Sequence, residues 1–188
     1  MFYRLQRDAN ARRQGLDFAR IAEYADPGIP WFAGQRAEGV VPTPVRCVLD
    51  AERGGPDMPD LFLSQIPLFS TRLLECLRQA GVDNLEVYDA ELLDPRSQRV
   101  NRSYKAVNIV GKVQCVNLAE SEFEPRSQYP MLEFRRIVLD EAKIGELRLF
   151  RLAENPLFIL MDEGVKSALA DAPLVGVQAA SLAQPSAY

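Results

Sequence analysis

Between residues 64 and 80 the apolar side chains fall at Leu68, Phe69, Leu73, Leu74 and Leu77. Steps of three and four put them in one stripe along an α-helix, with Glu75 and Arg78 on the wet side. Ser70 or Ser64 supplies the N-cap oxygen, and Gly81 stands where a helix ends in a left-handed residue. After this helix the period shortens. Leu85, Val87 and Tyr88 open a strand that ends before Asp94-Pro95. Residues 104–116 read as one long strand, with Gly111 as a bend or bulge between its halves. Strands follow at 135–139 and 147–152, joined through Lys143-Ile144-Gly145. The unbroken apolar run Leu157-Phe158-Ile159-Leu160-Met161 reads as a strand covered on both faces. Residues 162–170 make a short helix whose acidic first turn suits its dipole. Pro173 ends it, 174–177 return as a last strand, and 179–188 fray as a tail.

The first third is less regular. Residues 1–5 open as a strand. Residues 16–24 carry Phe18, Ile21 and Ala22, with Ala25 just beyond, the spacing of a short helix stopped by Asp26-Pro27-Gly28. Pro30, Pro42 and Pro44 exclude long elements from 29–45, which holds the only tryptophan, Trp31. Cys47-Val48-Leu49 forms a short strand, and 52–60 (ERGGPDMPD) a turn-rich loop. Strands cluster after the main helix without βαβ alternation. The expected class is α+β, a mainly antiparallel or mixed sheet packed against a few helices. One domain spans 1–188: a loop-rich part at 1–60, an α+β core at 61–178 and a tail at 179–188.

Length and composition narrow the function. At 188 residues, 47% hydrophobic and 26% charged, the chain fits one globular domain. It has no secretory leader pattern and no stretch near the roughly 18 apolar residues of a membrane helix, so a cytoplasmic, membrane-free protein is expected. The net charge of −4 argues against nucleic acid as a direct ligand and suits a basic protein partner. Histidine is absent, which removes Ser-His-Asp and Cys-His catalysis and any histidine-bound zinc. Cys47, Cys76 and Cys115 are far apart in sequence and read as reduced core thiols. No Walker loop, GxGxxG, CxxC or HExxH occurs. The expectation is no catalytic residue, no metal and no cofactor.

The binding candidates are acidic and aromatic. Glu120, Glu122 and Glu124 alternate around Ser121 and Phe123, so an extended backbone shows all three on one side. That pattern fits a solvated edge or a patch for cationic partner residues. Asp83, Glu86, Asp89, Glu91 and Asp94 form a second acidic region. Trp31, Phe32 and Tyr129 sit in loop-like segments, as members of minor cores or as interface anchors.

Three stretches carry a resemblance. Tyr104-Lys105-Ala106-Val107-Asn108-Ile109-Val110-Gly111 is similar to a "Y-x-x-x-N-x-x-G" strand, and Leu149-Phe150-Arg151-Leu152 with Glu154 to an "iFRl-x-E" strand. Pro173-Leu174-Val175-Gly176-Val177 is similar to an "l-x-G-v" ending. In order and spacing, across about residues 60–178, they resemble a bacterial immunity-protein family first defined through a myxobacterial toxin system. The resemblance implies an immunity protein that binds a cognate secreted antibacterial toxin one-to-one and blocks its active site or substrate access. It also implies that the toxin is a nuclease, of the Gly-His-His DNase kind delivered by a type VI secretion system. The motif residues look structural, and none is carried over as an active site. The toxin-binding candidates are Glu120, Glu122, Glu124, Asp83, Glu86 and Trp31. Two rival readings stand beside this one: a carboxylate-based enzyme of unknown substrate, and an adaptor or scaffold of a secretion apparatus.

Overall fold

The computed structural model describes residues 1–8 and 10–183. The strands are β1 (Phe2–Arg7), β2 (Ile21–Tyr24), β3 (Val45–Leu49), β4 (Leu61–Leu63), β5 (Pro67–Ser70), β6 (Leu85–Asp94), β7 (Arg99–Asn101), β8 (Tyr104–Ile109), β9 (Lys112–Val113), β10 (Glu122–Phe123), β11 (Phe134–Arg136), β12 (Leu149–Leu152), β13 (Asn155–Asp162) and β14 (Val177–Ser181). The two α-helices among the described residues are α1 (Thr71–Gln79) and α2 (Glu163–Asp171). This is a mainly-sheet fold with few helices. A seven-stranded sheet runs β2-β3-β6-β8-β5-β4, with β7 also on β6, and a five-stranded sheet runs β14-β1-β13-β12-β9. Most neighbours are antiparallel, but β3 pairs parallel with β6 and β9 parallel with β12. Both sheets are therefore mixed.

The central strands are covered on both faces, which explains the near-continuous hydrophobic run of β13. The central core joins them: Leu5, Phe69, Val107, Ile109, Leu149, Ile159 and Met161 pack with Leu73 and Leu77 of α1 and Val165 and Leu169 of α2. The outer face of the seven-stranded sheet is covered by the N-terminal loops through Ile29 and Trp31. The outer face of the five-stranded sheet is covered by residues of 115–144, among them Cys115, Leu132, Phe134 and Ile144. Along β13 the result is legible residue by residue: Ile159 and Met161 face the central core, Phe158 and Leu160 the outer one.

Gly111 is where the chain changes sheets. Its φ of 124° lies in a region that L side chains rarely adopt. Its N–H donates to the Gly34 carbonyl at 2.7 Å, and its carbonyl accepts from Arg151 N at 2.9 Å. The expected single strand over 104–116 is thus two strands, β8 in one sheet and β9 in the other. A Cβ on Gly34 would stand 2.5 Å from Lys112 Cβ, so the 29–37 loop closes on this junction only with glycine there.

Several other expectations change. The 64–80 helix is shorter: Leu68 and Phe69 belong to β5, and α1 begins at Thr71 with Ser70 as N-cap, its side chain accepting from Leu73 N. The apolar stripe was real, but Pro67 and the buried hairpin with β4 take its first turn into a sheet. The 16–24 helix is instead a bridge at Phe18 and strand β2. The last strand runs later than 174–177, at 177–181, so the first residues of the supposed tail pair with β1. Residues 184–188 of that tail lie outside the described residues. The strands at 135–139 and 147–152 shrink to β11 and β12, and α2 forms one residue later than expected with Asp162 as its cap. Among the described residues no helix is long and apolar enough to cross a membrane.

Candidate functional site

Between the parallel partners β9 and β12 the chain makes an excursion, and its 117–136 portion is an arm. There β10 and β11 pair antiparallel, Glu122 opposite Arg136 and Phe123 opposite Phe134. The arm's inner side is anchored: Phe134 meets Phe123 and Phe158 at centroid distances of 6.1 and 6.3 Å, and Leu132 N donates to Glu154 O. Its outer side leaves Leu118, Tyr129 and Met131 exposed, Tyr129 at 57%. Leu157, also exposed, is bound to the same place, because Asn155 holds its amide and the Leu132 carbonyl.

The three glutamates do lie on this arm, but not as a bare acidic face. Glu122 pairs with Arg136 at 3.1 Å and Glu124 with Arg135 at 2.7 Å. Only Glu122 of the three sits in a strand; Glu120 closes a turn and offers its carbonyl to Arg136 at 2.5 Å. Among the described residues the carboxylate of Glu120 enters no ion pair, so it carries the arm's open negative charge together with Glu133, both exposed. Sequence spacing gave the neighbourhood of the carboxylates, while the neutralising arginines come from across the hairpin.

The second acidic region is dispersed in the same way. Asp89 pairs with Lys105 and Glu91 with Arg102. Asp94 accepts from Arg96 N and Ser97 Oγ. Glu86 is a structural tie: it accepts from Ala37 N, Asn108 Nδ2 and Tyr88 OH and pairs with Arg36. Burial works against its charge, yet those donors together hold its carboxyl below the ordinary range. Of these acids Asp83 alone is exposed with no side-chain partner among the described residues. Trp31 is not an exposed anchor: at 5% exposure it belongs to the core beneath the N-terminal loops, edge-on to Tyr88 at 6.3 Å. Its flanking prolines suggested a surface loop; the loop instead folds inward over the sheet.

The cysteines are all buried and free. Burial pushes the Cys47 thiol up to about 11 and the Cys115 thiol up to about 12, which opposes thiolate formation. Among the described residues no three Cys, Asp or Glu side chains converge as a metal-ligand set.

Two of the charged side chains buried among the described residues lie in the motif at 149–154. Arg151 is 1% exposed, donates from Nη1 to Pro156 O at 2.7 Å and lies 4.9 Å from the Phe32 ring centre. Burial pushes it down to about 10, and among the described residues its Nε and Nη2 meet no acceptor. Glu154, also 1% exposed, accepts from Val116 N at 2.9 Å. The signal was an arginine inside the apolar run Leu149–Leu152, a position the period assigns to the core. With Asn108, which donates to Gln35 O, and Tyr104, which donates to Pro59 O, these residues fasten loops and sheets to one another. These motif residues act as structural fastenings.

The comparisons fit that picture. No curated protein matches the chain. The model of an immunity protein family, Imm11, matches residues 2–183, including the less regular first third. The chain belongs to the Imm11 immunity protein family.

Proposed function

We propose that this protein neutralises a cognate secreted toxin by direct one-to-one binding, without catalysing a reaction, and that it does so in the cytoplasm of the cell it protects. The observation that carries the reading is the family match over 2–183. The arm supports it as the contact surface. Tyr129, Met131, Leu118 and Leu157 are four of the exposed large hydrophobics, they sit in or beside one segment, and that segment also carries the Glu122–Arg136 and Glu124–Arg135 pairs. An apolar centre with a polar rim is the anatomy of a specific interface.

The partner we infer is a nuclease, of the Gly-His-His DNase type delivered by type VI secretion. A nuclease must hold phosphates, so its cleft is cationic. A chain of net charge −4 with Glu120 and Asp83 open is drawn to such a cleft. The test pairs a titration of purified toxin domain against this chain with survival of toxin-expressing cells. Binding at one-to-one stoichiometry and loss of nuclease activity in the complex are expected. Protection of cells without any association of the purified pair would overturn direct inhibition. Turnover of any substrate that disappears on a single Asp or Glu substitution would revive the enzyme reading.

A further inference from the structure

The edges of the two large sheets are not alike. Among the described residues, β9 at one edge of the five-stranded sheet is two residues long. In the seven-stranded sheet, β4 at one edge is three residues long and mostly buried, and β2 at the other has an irregular register beside Glu23. Short strands, bulges and charged residues are what ordinarily keep an edge from pairing with another chain. The remaining edge, β14, has none of them. It is five residues long, Val-Gln-Ala-Ala-Ser, with no charge, no proline and a regular register to β1.

The ladder fixes which backbone groups of β14 are free. Asp8 N donates to Gly176 O, and in an antiparallel pair every second residue bonds to the one opposite. The register continues through Arg7 with Val177, Gln6 with Gln178, Leu5 with Ala179 and Arg4 with Ala180. Gln178 and Ala180 therefore turn their N–H and carbonyl groups towards β1, and Val177, Ala179 and Ser181 turn theirs away. Val175 obeys the same alternation: its N–H donates to the Asp60 carboxylate and its carbonyl accepts from Asp60 N, both at 2.7 Å on the outward side. Beyond that closure, no backbone bond among the described residues reaches the outward groups of 177, 179 and 181. What remains on offer is a row of alternating donors and acceptors, two residues or about 7 Å apart. That spacing matches extended backbone and no compact ligand.

We infer that β14 receives an extended segment of the toxin as an added strand, which continues the five-stranded sheet. The inference rests on the proposed toxin-binding function. The toxin is favoured as the source because β14 ends against the base of the arm. Ile137 N donates to Leu182 O directly after the strand, and Leu182 packs in the outer core with Leu132 and Phe134 of the arm. One ligand seated on the arm thus has the edge within the same contact, whereas a second copy brings its own net charge of −4 to the seam. Main-chain bonds along the edge supply affinity, and the side chains of the arm supply the choice of partner.

Amide hydrogen exchange followed by NMR, on the native chain free and bound to the purified toxin domain, reads the edge directly. In the free chain the amides of Val177, Ala179 and Ser181 should exchange fast and those of Gln178 and Ala180 slowly. The complex should slow the outward amides by at least about tenfold. Ala179→Pro removes one outward N–H and no bond to β1, so it should melt as the native chain does and bind the toxin domain about tenfold more weakly. Ala180→Pro removes an inward bond and should lower the melting temperature. Native affinity in Ala179→Pro, with outward amides that stay fast in the complex, would overturn the inference and leave the toxin-binding reading intact. Outward amides already slow in a free monomer would show an edge closed within the chain and overturn it as well. A native dimer in light scattering that Ala179→Pro turns into a monomer, with toxin affinity unchanged, would assign the edge to a second copy instead. If the native chain binds no toxin at all, both readings fall together.

Discussion

Asp60, which ends the long N-terminal loop, meets Arg72 of α1 through two bonds, Nε to Oδ1 at 3.2 Å and Nη2 to Oδ2 at 3.0 Å. Asp60 is 1% exposed and also accepts from the Ser70 hydroxyl and from Val175 N at 2.7 Å. One carboxylate thus binds the start of α1, the loop before β4 and the segment that leads into β14. Removing it leaves buried donors without acceptors, at about 1–3 kcal/mol each. Asp60→Ala is expected to cost about 2–4 kcal/mol in urea unfolding. A double-mutant cycle with Arg72→Ala should give a coupling of about 0.5–3 kcal/mol; zero coupling would show that the ion pair contributes nothing beyond the other two bonds.

Leu73 and Leu77 of α1 are both fully buried in the central core. Leu→Ala at either should lower stability by about 2–5 kcal/mol, while Glu75→Ala on the exposed side should change it by no more than about 0.5 kcal/mol. Chemical denaturation of the three variants decides the face.

The thiols predict an alkaline limit. Cys47 and Cys115 have folded-state values raised to about 11 and about 12, and Tyr104 is raised to about 12 by burial and the nearby Asp60 charge. A group raised on folding stabilises fully below its unfolded value and loses that contribution as pH climbs to the folded value. Stability should hold to about pH 9 and fall from there towards pH 12. Unfolding midpoints at pH 8, 9.5 and 10.5 test this, and Cys115→Ala should flatten the slope. At pH 8 a thiol reagent should label none of the three until the chain unfolds, and reductant should leave the melting temperature unchanged.

On the arm, apolar contact should outweigh charge. Tyr129→Ala is expected to weaken toxin binding by about 2 kcal/mol, roughly thirtyfold in Kd. Joint reversal of Glu120, Glu122 and Glu124 should act mainly on the association rate, as should added salt. Surface plasmon resonance with a salt series separates the two. If all the loss from the triple reversal falls in the dissociation rate, its cause is the broken hairpin pairs to Arg135 and Arg136, and the arm's charge does not steer.

The sequence shows α1, its cap and its Gly81 stop because these depend on neighbours within one turn. It shows β13 because an unbroken apolar run marks a strand covered on both faces, and the start of β6 because Leu85 and Val87 alternate with polar neighbours. It misassigns Leu68 and Phe69, whose spacing suits a helix equally well until β4 and β8 claim them as a strand. At Gly111 it suggests a bend, but it hides the change of sheet, since only the pairing of β9 with β12 reveals it. The candidate site was legible as a stretch of acids and not as a surface. Arg135 and Arg136, which neutralise two of the three glutamates, are set opposite them by hairpin register. The inward turn of Trp31 is fixed by Tyr88, more than fifty residues away.

Strand β1 lies between β13 and β14, with Tyr3 opposite Met161 on one side and Ser181 on the other. During synthesis the first strand therefore leaves the ribosome with neither neighbour yet made. At about 5–20 residues per second, the wait for β13 alone lasts on the order of ten to thirty seconds. The seven-stranded sheet can pair meanwhile, but the five-stranded sheet, and the arm packed on its outer face, come last. A chain halted before β13 would therefore leave β1 with neither of its partners, and the support on which the arm packs is complete only when the last strands have been made.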